Sequence, residues 1–154
     1  MQVHFPRKIE DTDAMVEVLE KCKILRIAFP GEPFPYILPM NYGVSYEDGK
    51  AVLYVHWQRK GKKLELLEQN AKVGFQVDWN EDRPSRTIHC MLAYESVVGG
   101  GTLRIVEDEG EIVKGINCIL RQYGKPQIKR YTPQLFADIY VLKLVVEEMS
   151  GKGM

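Results

Sequence analysis

LYVHWQRKGKKLELLEQN, residues Leu53–Asn70, hands a strand over to a helix, and the rest of the chain is placed around that junction. The strand is read from alternation: Val52, Tyr54 and His56 take one face, Leu53, Val55 and Trp57 the other. A basic turn follows at Gln58-Arg59-Lys60-Gly61. The chain then restarts as Lys62-Lys63-Leu64-Glu65-Leu66-Leu67-Glu68, straight-chain residues with Leu64 and Leu67 three apart, which predicts a helix. A helix start offers N–H groups with no partner inside the helix, and lysines add charge at the same place. That chemistry suits a phosphate. The same residues would also serve as a solvated turn whose helix shields the end of a sheet, and spacing alone does not separate the two.

Upstream, Asp48-Gly49 signals a hairpin that pairs this strand with a preceding one, Tyr36 to Tyr46. Pro39 inside that strand has no N–H for a ladder, so an edge or a bulge is expected there. Lys23 to Phe29 alternates as a further strand. Before it, Asp11, Thr12 or Asp13 caps a helix with apolar positions Met15, Val18, Leu19 and Cys22. Arg7 to Asp13 reads as a polar arm.

Downstream, Lys72 to Trp79 alternates as a half-buried strand, and Asn80 to Arg86 is a polar loop. Thr87 to Val98 and Thr102 to Val106 read as strands interrupted by Gly99-Gly100-Gly101, a bulge or a tight reversal that also admits a close backbone or ligand. Acidic Glu107 to Glu111 leads a helix with a stripe at Ile112, Val113, Ile116, Ile119, Leu120 and Tyr123, stopped by Gly124 and Pro126. Thr132-Pro133 opens a short helical turn at Gln134 to Ala137. Ile139 to Val146 is an apolar, buried strand, and Glu147 to Met154 leaves it as a polar tail. Six or so strands joined by hairpins, with few helices, make a mainly β chain, a β-barrel with flanking helices rather than a doubly wound sheet. No GxGxxG or GxxxxGK[ST] fingerprint is present.

Composition narrows the function. A chain of 154 residues fits a single domain, 1–154. Its 21 basic and 21 acidic residues cancel, so no global field favours nucleic acid or an anionic membrane. No apolar run approaches a membrane span, and MQVHFPRKIED lacks the apolar stretch of a signal peptide. Cys22, Cys90 and Cys118 are odd in number and far apart, which points to a reducing cytoplasm and away from disulfides or zinc. Ser45, Ser85, Ser96 and Ser150 show no GxSxG context, and His4, His56 and His89 are too scattered for an assignable triad or metal site. Asp78 with Glu95, and Trp79 with Tyr94, read as ordinary strand positions more readily than as acid pair or cofactor stack.

The order of motifs resembles a known family. Ile24-Leu25-Arg26-Ile27-Ala28, Tyr36 to Gly43 (YILPMNYG), Leu53-Tyr54-Val55-His56 with Gly61-Lys62-Lys63, Tyr94 to Gly99 and Glu147 to Lys152 together look like the pyridoxamine 5′-phosphate oxidase-like FMN-binding split barrels. Within them they are closest to the 5-nitroimidazole resistance (Nim-type) branch. The resemblance implies a six-stranded split barrel that forms a homodimer with two FMN molecules at the interface. It places the FMN phosphate at Lys60, Lys62 and Lys63 and flavin contacts at Met40, Asn41 and Tyr42. It sets His56 near the isoalloxazine as the catalytic candidate, with Ser96 as a further contact. Trp57, where the family usually carries a small residue, joins the candidate cofactor contacts and would narrow or fill the substrate pocket. The implied activity is FMN-dependent reduction of nitroaromatic or related small molecules. The alternatives are a flavin- or haem-binding module without turnover, and a pyridoxamine-phosphate-oxidase-like enzyme, for which a second phosphate site is not evident.

Overall fold

The computed structural model describes residues 7–80 and 93–153. In chain order these form β1 (Arg7–Ile9), α1 (Thr12–Lys21), β2 (Leu25–Phe29), β3 (Tyr36–Met40), β4 (Gly43–Glu47), β5 (Lys50–Gln58), α2 (Lys62–Gln69), β6 (Lys72–Trp79), β7 (Glu95–Ile105), α3 (Glu109–Gln122) and β8 (Ile139–Gly153). The strands make one antiparallel sheet in the order β3-β2-β6-β7-β8-β5-β4, with β1 added alongside β8. Its edges, β3 and β4, are neighbours in the chain, so the sheet curls without closing. The curl shows in one contact. Phe29 on β2 and Trp57 on β5 are four strand steps apart, on the order of 19 Å in a flat sheet, yet their ring centroids lie 5.8 Å apart. This is a split barrel.

Alternation decides which side chains fill it. Leu53, Val55 and Trp57 point inward from β5, and they meet Ile27, Phe29, Val73, Phe75 and Leu144 in a core that α1 closes with Met15, Val16, Val18 and Leu19. Asp11 caps α1, its carboxylate accepting from the Ala14 N–H at 3.2 Å. The last carbonyls of α1 would be orphans inside the protein. They are met from α3 instead: the Gln122 Nε2 lies within reach of Leu19 O (2.9 Å), Glu20 O (2.9 Å) and Cys22 O (2.8 Å), its two hydrogens shared among the three carbonyls. Gln122→Ala leaves these buried carbonyls underserved. It is expected to cost about 1–3 kcal/mol, visible in thermal denaturation at roughly 2–4 °C per kcal/mol. An unchanged midpoint would mean that Tyr42 alone suffices there.

A second, smaller core lies on the outer face, where α3 covers Tyr54, Val106 and Val141. Gly115 of α3 sits close above the Tyr54 ring; a Cβ there would come within 2.6 Å of it.

Several expectations change on contact with the structure. The predicted strand Tyr36 to Tyr46 is two strands, β3 and β4, broken at Asn41-Tyr42, because Tyr42 turns into the core. Its N–H donates to the Tyr123 hydroxyl (3.1 Å) and its own hydroxyl bonds the carbonyls of Leu19 and Cys22. Pro39 does lie on an edge strand, opposite Arg26. Of the two alternatives at the three glycines, the structure shows the bulge-like one: β7 runs through them as one strand with a register shift between Gly100 and Gly101. The polar tail is the second half of β8, since Met149 to Lys152 pair with Ser96 to Gly99, and Arg7–Ile9 of the expected arm pair with 151–153. The short helical turn expected at Gln134 to Ala137 is a single turn over residues 133–136, with the Leu135 N–H donating to Thr132 O at 3.1 Å. The count is therefore eight strands among the described residues, not six. The loop from Asn80 to Arg86, the first part of the predicted 87–98 strand, and His4, Ser85, His89 and Cys90 lie wholly or largely outside the described residues. Among the described residues no helix is long and apolar enough to cross a membrane.

Candidate functional site

β5 ends by sending neighbouring side chains opposite ways. Trp57 is inside, 2% exposed, while His56 stands on the exposed outer face. The basic turn then leads to Gly61, whose φ of 129° is a conformation that L side chains rarely adopt. Gly61 is also the N-cap of α2, and having no side chain it leaves the first N–H groups uncapped, with only the Leu64 N–H reaching back to Gly61 O at 3.2 Å. Lys62 and Lys63 occupy the first two positions of that helix.

The cations here rest on aromatic rings. Lys62 Nζ lies 4.4 Å from the centroid of Tyr36, Lys63 Nζ 5.3 Å from that of Trp57, and the Arg59 guanidinium 4.6 Å from that of Tyr140. Arg59 Nη2 also donates to Phe136 O at 3.0 Å. Among the described residues no carboxylate lies within 4.0 Å of Arg59, Lys60, Lys62 or Lys63. No ion pair with any of these residues therefore neutralises their charge. Beside the turn is a 480 Å³ cleft lined by Gln58, Arg59, Lys60, Ala137, Asp138 and Ile139. This donor set, cations with free N–H groups and an uncapped helix start, fits a phosphate monoester.

The remaining candidates fall in different places. Gly43 of β4 pairs with Tyr54 of β5, so Asn41, two residues before, and His56, two residues after, leave the same end of that ladder. Asn41 is exposed and Met40 half-buried. The structure thus brings Asn41, His56 and the lysine turn to one end of the molecule. Partial desolvation of the ring against the protein, and then the charge of Lys63, hold the His56 imidazole below the ordinary 6.5, which favours the neutral form, a ring able to accept a hydrogen bond. Two residues belong to the core: Tyr42, whose hydroxyl is bound to α1 and whose phenol burial pushes well above its usual range, and Trp57, which points away from the His56 face. The Trp57 Nε1 finds no acceptor among the described residues. Ser96 pairs with Lys152 at the far end of β8, whereas the end of β5 pairs with Ile139 at its start. Within one chain Ser96 and the lysine turn are not neighbours.

Arg59, Tyr36 and Tyr140 are the residues that the sequence did not single out. Arg59 sat in view within the basic turn. Nothing local marks the two tyrosines, because β3 and β8 reach the turn only through the tertiary fold. Thiol and metal chemistry gain no support. The Cys22 thiol is buried and pushed up to about 12, chiefly by burial and then by Asp78. Among the described residues no cluster of three or more His, Cys, Asp or Glu side chains could hold a metal ion.

No curated protein matches the chain. Solved structures do. A candidate 5-nitroimidazole antibiotic resistance protein from Bacteroides thetaiotaomicron is 27% identical over 98% of this chain and 89% of its own, with a TM-score of 0.80. A FAD-binding protein from Mesorhizobium loti shares the fold at 22% identity, covering 98% of this chain and 99% of its own, with a TM-score of 0.70. So does a FAD and heme binding protein from Mycobacterium smegmatis, at 17% identity, 95% and 72% coverage and a TM-score of 0.71. The sequence profile described as pyridoxamine 5′-phosphate oxidase matches residues 11–153, which takes in every described strand but β1 and the whole lysine turn. With the split barrel and this match over nearly its full length, the chain belongs to the pyridoxamine 5′-phosphate oxidase family.

Proposed function

We propose that the protein is an FMN-dependent oxidoreductase acting on nitroaromatic, 5-nitroimidazole-like or related small molecules. The observation that carries the reading is the set of cations Arg59, Lys60, Lys62 and Lys63 at the uncapped start of α2, which no ion pair among the described residues neutralises. It is sized and charged for one phosphate, which suits FMN. The likeness to the Bacteroides nitroimidazole resistance protein supports the substrate class. When bound, FMN supplies the electron transfer. The chain's own residues bind and orient: Lys60, Lys62 and Lys63 hold the phosphate, and Met40 and Asn41 flank the ligand beside His56. The neutral His56 imidazole accepts or relays a proton at the substrate.

Purified protein should be yellow, and denaturation should release FMN rather than FAD. A colourless preparation that takes up no added FMN sinks the reading, and a Soret band would move it to haem. Turnover of NAD(P)H with a nitroimidazole then separates an enzyme from a binder.

His56→Ala tests the catalytic assignment. The side chain is exposed, so the fold and the FMN affinity should hold while reductase activity falls about ten-fold, the worth of one hydrogen bond of about 1.5 kcal/mol in the transition state. Stability and activity falling in proportion would make His56 a structural residue.

The same reading includes a homodimer. Ser96 is remote from its own lysine turn, and Ile37 and Val98 on the outer sheet face are 61% and 45% exposed. A two-fold pairing would cover that face and bring one chain's Ser96 toward its partner's site. Sedimentation should give about twice 17.7 kDa at micromolar concentration; a monomer alone would refute it.

A further inference from the structure

Lysines at a helix N-terminus are in the wrong place for stability. The positive end of the helix dipole repels them, and carboxylates are what that end favours. α2 nevertheless begins with Lys62 and Lys63, and among the described residues no carboxylate lies within ion-pairing distance of either. What holds them is aromatic. A ring face attracts a cation through its quadrupole and carries no net charge, so the cation stays fully available to an anion. A carboxylate would fix the lysine equally well and cancel its field.

The rings are firmly mounted. Tyr36 stands opposite Phe29 in the β2–β3 ladder, and Tyr140 stands opposite Trp57 in the β5–β8 ladder. Phe29 and Trp57 in turn pack on each other at 5.8 Å in the core. The two half-buried tyrosines are thus braced by one buried aromatic pair. They present their faces to cations on either side of Gly61, Lys62 at 4.4 Å and Arg59 at 4.6 Å.

We propose that Tyr36 and Tyr140 are positioning residues of the phosphate site, which hold Lys62 and Arg59 aimed and un-neutralised for the ligand's anionic group. The inference rests on the reading of the lysine turn as that site. It assigns the selectivity for a phosphorylated over an unphosphorylated flavin to two residues that do not themselves touch the phosphate.

The test compares FMN with riboflavin, which keeps the ring and ribityl chain and lacks the phosphate, by quenching of flavin fluorescence. Tyr36→Phe and Tyr140→Phe retain the ring and should bind both ligands as the native protein does. Tyr36→Leu and Tyr140→Leu should each lose about 3- to 10-fold in FMN affinity and nothing in riboflavin affinity. In a Lys62→Ala background Tyr36→Leu should have no further effect, and likewise Tyr140→Leu with Arg59→Ala. Thermal midpoints, read alongside, identify any variant that acts through the fold. Leucine variants with native FMN affinity, an equal loss for both ligands, or a loss that persists without the cation would each overturn the inference. If Lys62→Ala and Arg59→Ala also leave FMN binding untouched, the phosphate site itself falls with it. If those two weaken FMN and the leucine variants do not, the site stands and only the role of the tyrosines is lost.

Discussion

Gly43→Ala should destabilise the protein far more than a single added methyl group ordinarily does. A Cβ at Gly43 would lie 2.1 Å from the Cys118 carbonyl carbon and 2.3 Å from the Ile119 N, where ordinary contact begins near 3.4 Å. These are backbone atoms in the middle of α3, so no side chain can swing aside. The helix would have to rise by more than an ångström. It is pinned against that movement by Arg121 to Val44 O (3.2 Å), by Gln122 to the end of α1, and by the Tyr42 N–H on the Tyr123 hydroxyl. The expected cost is about 3–5 kcal/mol, above the usual range for overpacking because several anchors strain together. The thermal midpoint should fall by roughly 10 °C. Gly74→Ala is the control. Its Cβ would meet Gly99 O at 3.7 Å and the Ala28 Cβ at 3.8 Å, ordinary contacts, so the midpoint should barely move. Equal, small shifts in both variants would show that α3 yields easily and that its packing on β4 is soft.

That close approach of strand to helix is the kind of fact a sequence does not announce, and it shows where legibility ended. Signals carried by neighbouring residues were readable. Alternation from Val52 to Trp57 gave β5 and its two faces. Asp48-Gly49 gave the β4–β5 hairpin, with both residues at positive φ, 52° and 75°. Gly61 marked the start of α2. What failed depended on partners far along the chain. Tyr42 breaks the predicted strand because its hydroxyl finds carbonyls of α1 and its N–H finds Tyr123. Glu147 to Gly153 is polar enough to read as a tail, yet it is a strand because β7 and β1 supply ladders on either side. The same division runs through the candidate site. Lys60, Lys62, Lys63 and His56 were visible as a local cluster. Trp57 was visible but misplaced: alternation put it opposite His56, and the curl of the sheet then set it in the core against Phe29. Its bulk fills the barrel interior, so it is not on the face where His56 would meet a substrate.

Replacing Lys62 and Lys63 together by alanine should abolish most of the FMN affinity while leaving the protein folded. Both side chains lie at the first turn of α2, exposed or half-buried, and among the described residues neither forms an ion pair within 4.0 Å, so the fold itself gains little from their charge. Removing cations from a helix N-terminus removes repulsion from the dipole, so stability should hold or rise slightly. For a phosphate the balance is opposite. It loses a charge-assisted hydrogen bond with each lysine, about 1.5–3 kcal/mol apiece, so the double variant should bind FMN about a hundred-fold more weakly or worse. Gly61 and the free N–H groups behind it remain, which is why binding should not vanish. The loss should shrink as salt rises, because screening weakens the native site more than the variant. Riboflavin supplies the decisive comparison. Its affinity should be nearly the same in native and double-variant protein, since the ring sees neither lysine. If riboflavin weakens as much as FMN, the lysines act through the shape of the α2 junction. If FMN binds the double variant as tightly as the native protein, the phosphate is held elsewhere, and the cleft between Arg59, Lys60 and Asp138 becomes the place to look.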